Sequence, residues 1–178
     1  PCVQHTPGVD ASSGSLGQGI SVAVGMALSA KLSNEDYRVY TLLGDGEIQE
    51  GQVWEASMFA AAKKLDNLCV IVDNNGLQID GPVDVVNSPY PIPEKFESFG
   101  FHVVRVADGN DFDQLRAAFA EARATKGVPT AIVMKTVKGK GISYMENQVG
   151  WHGKAPNDEE YAIAVKELEE AEEALCQK

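Results

Sequence analysis

Along the chain, short runs of β-branched and apolar residues alternate with longer stretches whose apolar positions recur every three or four residues. The short runs fit buried strands and the longer stretches fit helices. Residues 17–31 put Ile20, Val24, Ala27 and Leu28 at helical spacing, and 38–43 read as a strand that stops at Gly44-Asp45-Gly46. A helix over 52–64 carries Trp54, Met58, Phe59 and Ala62, and a second strand follows over 68–73. A proline-rich loop at 82–93 leads to a short helix around Phe96. Strands over 101–106 and 129–135 then flank a helix over 111–124, for which Asp111 is the expected N-cap. A Gly/Lys loop separates the last strand from an acidic C-terminal helix over 157–176.

Strands alternating with helices predict an α/β fold: a parallel sheet with helices on both faces, in one domain over 1–178. Such sheets bind ligands outside the carboxyl ends of their strands. Two polar clusters fall there, Gly44-Asp45-Gly46 and Asp73-Asn74-Asn75, with Asp45 and Asn75 thirty residues apart. That is one crossover's length, so the clusters should face each other.

Each cluster alone reads as a turn, and Asn75-Gly76 is also a hairpin signal. Together they offer a carboxylate (Asp45) and an amide oxygen (Asn75), hard ligands with no His or Cys beside them. That argues against zinc and for magnesium or another divalent cation such as calcium. Gly44 and Gly46 allow close approach and unusual dihedrals around Asp45. The stretch Gly-Ser-Leu-Gly-Gln-Gly at 14–19 opens the first helix, where free amides favour an anion. Its glycine order is not the dinucleotide fingerprint, and no phosphate-loop motif occurs.

Composition changes this picture little. A chain of 178 residues can bury a core, and no apolar run approaches the ~20 residues of a membrane helix. The net charge is -11, but eight acids against one lysine between Asp158 and Glu173 supply most of it. A solvated acidic helix face is the expectation there, and the balance argues against a nucleic-acid surface. Cys2, Cys69 and Cys176 lack metal-ligand spacing and fit reduced thiols in a cytoplasm. The chain opens on Pro1 rather than Met, which points to a missing start.

The segment GDGEIQEGQVWEASMFAAAKKLDNLCVIVDNNG resembles the thiamine-diphosphate fingerprint. GVDASSGSLGQGISVAVGMA and KTVKGKGISYMENQVGWHGKAP are similar to transketolases, in the split-gene form where this part is a separate N-terminal subunit. The resemblance implies the diphosphate-binding (PP) fold, with magnesium held by Asp45, Asn75 and the carbonyl of Leu77. It places Gly46 and Glu47 on the diphosphate side of the cofactor and Gly14, Ser15 and Leu16 on its aminopyrimidine side. It implies that His152 sits near diphosphate and substrate oxygens, and that Glu50 and Glu55 link two active sites near a subunit interface. Without the family, a His between Trp151 and Gly153 reads as structural, and the two glutamates read as a helix N-terminal acid and a solvated face.

By the same resemblance, the pyrimidine-binding domain must come from another polypeptide, a C-terminal transketolase subunit. Upstream family segments would precede Pro1. The implied reaction moves a two-carbon ketol unit from a ketose to an aldose acceptor, in an assembly of two copies of this chain with two of the partner. The donor is a pentose or hexose phosphate, a sulfonated sugar or a branched pentose. Helix 52–64, with Trp54, Met58 and Phe59 beside short alanines, carries more apolar surface than one sheet face needs. Part of it is therefore the expected contact surface, near Glu50 and Glu55. The rival readings are a 2-oxoacid dehydrogenase E1-like subunit and a non-catalytic cofactor-binding subunit.

Overall fold

The computed structural model describes residues 3–176, so Pro1 and Cys2 lie outside the described residues. The main sheet has four parallel strands: β1 (Val39–Gly44), β2 (Leu68–Asn74), β5 (His102–Val106) and β6 (Thr130–Lys135), in the spatial order β1-β2-β6-β5. A two-stranded hairpin, β3 (Leu77–Gln78) with β4 (Gly81–Pro82), branches off after β2. The register pairs Gly44 with Asp73, which sets the two polar clusters side by side at adjacent strand ends.

Helices α1 (Gln18–Ser33), α2 (Gly51–Ala62) and α4 (Ile92–Ser98) cover one face. The buried positions of α1 are Ile20, Ala23, Val24, Ala27 and Ala30, a stripe of mostly small residues at helical spacing that lets the helix lie close to the sheet. That face buries Leu68, Val70 and Val72 of β2 with Val53 and Phe96. Helix α5 (Phe112–Ala124) covers the other face, packing Ala118 and Ala122 on Cys69, Val104, Val106 and Ile132. Asp111 caps α5 as expected, its carboxylate accepting from the amides of Asp113 (2.8 Å) and Gln114 (3.1 Å). Those donors hold its carboxyl below the usual range. Cover on this second face is thin: Tyr40 and Leu42 of β1 stay exposed, Leu42 at 63%.

Part of the expected loop at 82–93 is helical, as α3 (Val83–Asn87). The acidic helix is α6 (Asp158–Cys176), and it is not merely a solvated face. Asn157 and Glu160 form a reciprocal cap: the Glu160 amide donates to Asn157 Oδ1 and the Asn157 amide to Glu160 Oε2, both at 2.8 Å. Glu160 also pairs with Lys154 at 2.7 Å, and Glu167 accepts from both the amide and the hydroxyl of Ser143. These acids serve the preceding loop, whose free amides and lysine need partners.

Candidate functional site

The site grows from the ends of β1 and β2. Asp45 follows β1 directly, and its amide donates to the carbonyl of Asp73 at 3.1 Å, extending the sheet pairing by one step. Asp45 is 1% exposed. Oδ1 accepts from the Gly46 amide at 2.9 Å and Oδ2 from the Gly76 amide at 2.5 Å, so the carboxylate ties the two turns together. Among the described residues Asp45 has no ion pair; Lys135 acts on it only at longer range. Burial pushes its carboxyl above the usual range, against the pull of the Gly76 and Gly46 amides, and Asp73 adds to the rise. A buried carboxylate with neutral partners is costly, and a cation would relieve that cost.

Asn75 is oriented by its neighbours. Its Nδ2 donates to Asp73 Oδ1 at 3.2 Å, and Thr136 donates its hydroxyl to the same oxygen. The amide oxygen of Asn75 therefore points the other way, where it accepts from the Leu77 amide at 2.9 Å. Gly76 turns the chain with φ +82°, and the Leu77–Pro82 hairpin follows. Asp73 thus holds a structural role, and Asn74 likewise accepts from the Tyr90 hydroxyl at 2.9 Å.

Gly46 corrects one expectation. Its φ of -69° is ordinary. The residue is small because a Cβ there would lie 2.9 Å from the Cβ of Gln78. The hairpin packs directly on this turn, and Gln49 fixes it with a 2.6 Å bond from Nε2 to Gln78 Oε1.

Other expected residues are placed differently. Gly14, Ser15 and Leu16 are exposed just before α1, Leu16 at 58%. Glu50 and Glu55 are exposed at the start and on the outer side of α2. Met58 and Phe59 are exposed beside them, but Trp54 is turned inward. Its ring packs on Phe96 and Phe99 at 5.1 and 5.3 Å between centroids, and its Nε1 donates to the Ile48 carbonyl. Trp54 therefore belongs to the core, not to a contact surface.

His152 stands exposed on the loop after β6, and among the described residues its side chain has no hydrogen bond, to Asp45 or to any other residue. Its neighbours are fixed: Trp151 donates to the Tyr144 carbonyl at 3.0 Å and carries Lys154 at 4.2 Å over its ring, and Tyr144 donates to the Glu160 carbonyl.

Lys135 ends β6 and Thr136 follows it; both open the segment KTVKGKGISYMENQVGWHGKAP, but nothing within it singles either out as a site residue. No group of three His, Cys, Asp or Glu residues that could hold a metal occurs among the described residues. The set Asp45, Asn75 and the Leu77 carbonyl is of a different kind, since it contains one carboxylate. A depression of about 350 Å³ lined by Lys31, Arg38, Asp66 and Arg123 lies at the opposite, amino-terminal edge of the sheet.

The sequence matches the family described as transketolase, thiamine diphosphate binding domain, over residues 1–172. The chain belongs to that family. It is 41% identical over 167 residues to the 6-deoxy-6-sulfo-D-fructose transketolase subunit SqwG of Clostridium sp. (strain MSTE9), covering 94% of this chain and 60% of that protein. It is 40% identical over 171 residues to an apulose-4-phosphate transketolase subunit from Phocaeicola vulgatus, covering 96% and 60%. The chain thus spans 60% of the length of these curated relatives. Its fold matches that of a Pichia stipitis transketolase in complex with sedoheptulose-7-phosphate. The TM-score is 0.83 at 31% identity, over 90% of this chain and 25% of that one. The α/β, thiamine-diphosphate-binding fold read from the sequence is the family's fold. Among the described residues, no helix is long and apolar enough to cross a membrane.

Proposed function

We propose that this chain is the diphosphate-binding subunit of a transketolase-type transferase that moves a two-carbon ketol unit from a ketose to an aldose acceptor. The observation that carries this reading is the buried Asp45 carboxylate. Neutral backbone amides from two strand ends orient both its oxygens and leave its charge unneutralised by any ion pair among the described residues. Asp45, Asn75 and the Leu77 carbonyl would hold magnesium, an all-oxygen set suited to that ion and to a diphosphate. Thiamine diphosphate, when bound, supplies the carbanion chemistry. This chain's residues bind and orient it: Gly14, Ser15 and Leu16 line its aminopyrimidine side, Gly46 lies by the diphosphate, and His152 reaches diphosphate or substrate oxygens.

The rest of the site comes from a C-terminal transketolase subunit with the pyrimidine-binding domain. The exposed Val22 and Met26 of α1 and Met58 and Phe59 of α2 support a contact surface there, near Glu50 and Glu55. Two copies of this chain with two of that partner is the closed assembly we propose. The free thiols Cys69 and Cys176 support a reducing cytoplasm.

The test mixes this chain with its pyrimidine-domain partner, then compares ketoses (phosphorylated, sulfonated and branched) with 2-oxoacids as donors. Transfer from a ketose by the mixture, and none by either chain alone, is the expected result. Turnover of 2-oxoacids only, or of nothing, overturns the reading.

A further inference from the structure

Glu47 turns its carboxylate into the protein. Oε1 accepts from the Gly17 amide at 2.9 Å and Oε2 from the Gly44 amide at 3.1 Å, both part-buried. Gly17 is the N-cap of α1, and Gly44 is the last residue of β1. One side chain therefore bridges the helix start that follows Gly14, Ser15 and Leu16 to the turn that carries Asp45. The amino-terminal end of α1 attracts an anion, and part of that attraction is already met by Glu47.

Gly17 is committed to this arrangement. It has φ +78°, and a Cβ on it would lie 2.8 Å from the Cβ of Glu50. The Gly17 amide can be held in this place only with a glycine there. Gly44 is the residue directly before Asp45, so its amide sets where the Asp45 turn begins. Hydrogen bonds to a charged acceptor are about twice as strong as neutral ones and hold their geometry more tightly.

We infer that Glu47 is a positioning residue: it fixes the aminopyrimidine side of the site against the diphosphate side through two backbone amides, without touching the cofactor. The inference rests on the thiamine-diphosphate reading of the site for its consequence, but not for the clamp itself. Losing the clamp lets the two halves drift, and a ligand that must contact both then loses affinity in bringing them back together.

Amide hydrogen exchange on the full chain, resolved by NMR, reads the clamp with no cofactor present. In Glu47→Ala the Gly17 and Gly44 amides should exchange at least about tenfold faster, while β2 and β6 amides stay protected. In Glu47→Gln one acceptor remains and an NH2 group faces the other amide, so one of the two amides should stay slow. Unchanged exchange at both amides in both variants overturns the clamp.

Calorimetric titration of thiamine diphosphate with magnesium into the chain assembled with its pyrimidine-domain partner reads the consequence. Affinity should fall about tenfold in Glu47→Ala and less in Glu47→Gln, the scale of one net hydrogen bond to a charged group. Faster exchange with unchanged affinity overturns the positioning role. A wild-type assembly that binds no thiamine diphosphate overturns the proposed function and the positioning role with it, while the exchange result still decides the clamp. If Glu47→Ala does not fold, Glu47→Gln carries both measurements.

Discussion

The ends of β1 and β2 and the segments that flank them are built in opposite ways. At the strand ends every functional side chain is held by a named partner: Asp45 by two amides, Asn75 by Asp73, and Asp73 by Thr136. In the flanking segments Gly14, Ser15, Leu16 and His152 stand exposed. Backbone explains the difference. Strand ends in a parallel sheet have amides to spare and fixed positions, so short polar side chains are locked where they emerge. The flanking residues sit on loops whose side chains face outward, and they gain partners only when something else arrives. The molecule thus presents one rigid set of polar groups at the strand ends and one open set on the flanking loops. Under the proposed function the first would hold the cation and diphosphate, and the second would be completed by cofactor and partner.

The largest effect should come from breaking the rigid half. Asp45→Ala removes a fully buried carboxylate and leaves the Gly46 and Gly76 amides without their acceptor. Truncating a buried charge contact costs roughly 2–5 kcal/mol, so affinity for thiamine diphosphate with magnesium should fall at least about 30-fold in the assembled enzyme. Calorimetric titration with and without magnesium measures it. Unchanged affinity would remove Asp45 from the cation site.

The next largest effect tests the open half. His152→Ala touches an exposed side chain with no hydrogen bond among the described residues, so stability should change by less than about 0.5 kcal/mol. Turnover or cofactor affinity should nonetheless fall about tenfold, the loss of one charged contact. Thermal melting beside steady-state kinetics separates the two. A lower melting temperature with full activity per folded molecule would make His152 a packing residue and blur the contrast between the halves.

How far this was legible in the sequence follows the same divide. The β-branched runs marked all four long strands to within about two residues, because a buried parallel strand has a distinctive composition. Polar residues at the ends of those strands marked Asp45 and Asn75. Strand order was not legible, since β6 sits between β2 and β5 through pairings that no local pattern encodes. The two-residue strands of the hairpin and α3 were too short to show a period. Trp54 read as surplus apolar surface because Phe96 and Phe99, which cover it, lie some forty residues away in the sequence. Glu160 and Glu167 read as solvated charge because their partners are loop amides, which sequence does not display.

A smaller effect sharpens the account of Asn75. Thr136→Val keeps the shape of the side chain and removes the hydroxyl that shares Asp73 Oδ1 with Asn75. A side-chain hydrogen bond to a charged group is worth about 1.5–3 kcal/mol. Most of that should appear as lost stability, with cofactor affinity down only a few-fold because Asp73 still holds Asn75. Urea unfolding and calorimetry read the two numbers. An affinity loss as large as that of Asp45→Ala would mean Thr136 itself reaches the cation or diphosphate.

The smallest functional effect, and the most direct probe of rigidity, is at Cys69. This thiol lies in β2, the strand that leads to Asn75, at 0% exposure. Burial pushes its pKa up from 9.0 to about 12, only partly opposed by the charge of Arg38. The fold therefore favours the neutral thiol. Its contribution to stability is complete below pH about 9, falls between about 9 and 12, and is gone above that. The stability gap between wild type and Cys69→Ala should narrow across that window in urea unfolding, with activity at neutral pH unaltered. At neutral pH the thiolate is the reactive form, so iodoacetamide followed by peptide mapping should modify exposed Cys176 quickly and Cys69 only through opening of the sheet. Equal rates at the two thiols would mean that β2 opens as readily as the end of α6. The strand ends could then not be the preformed half of the site, because Asp45 and Asn75 inherit their fixed positions from that strand and its pairing with β1.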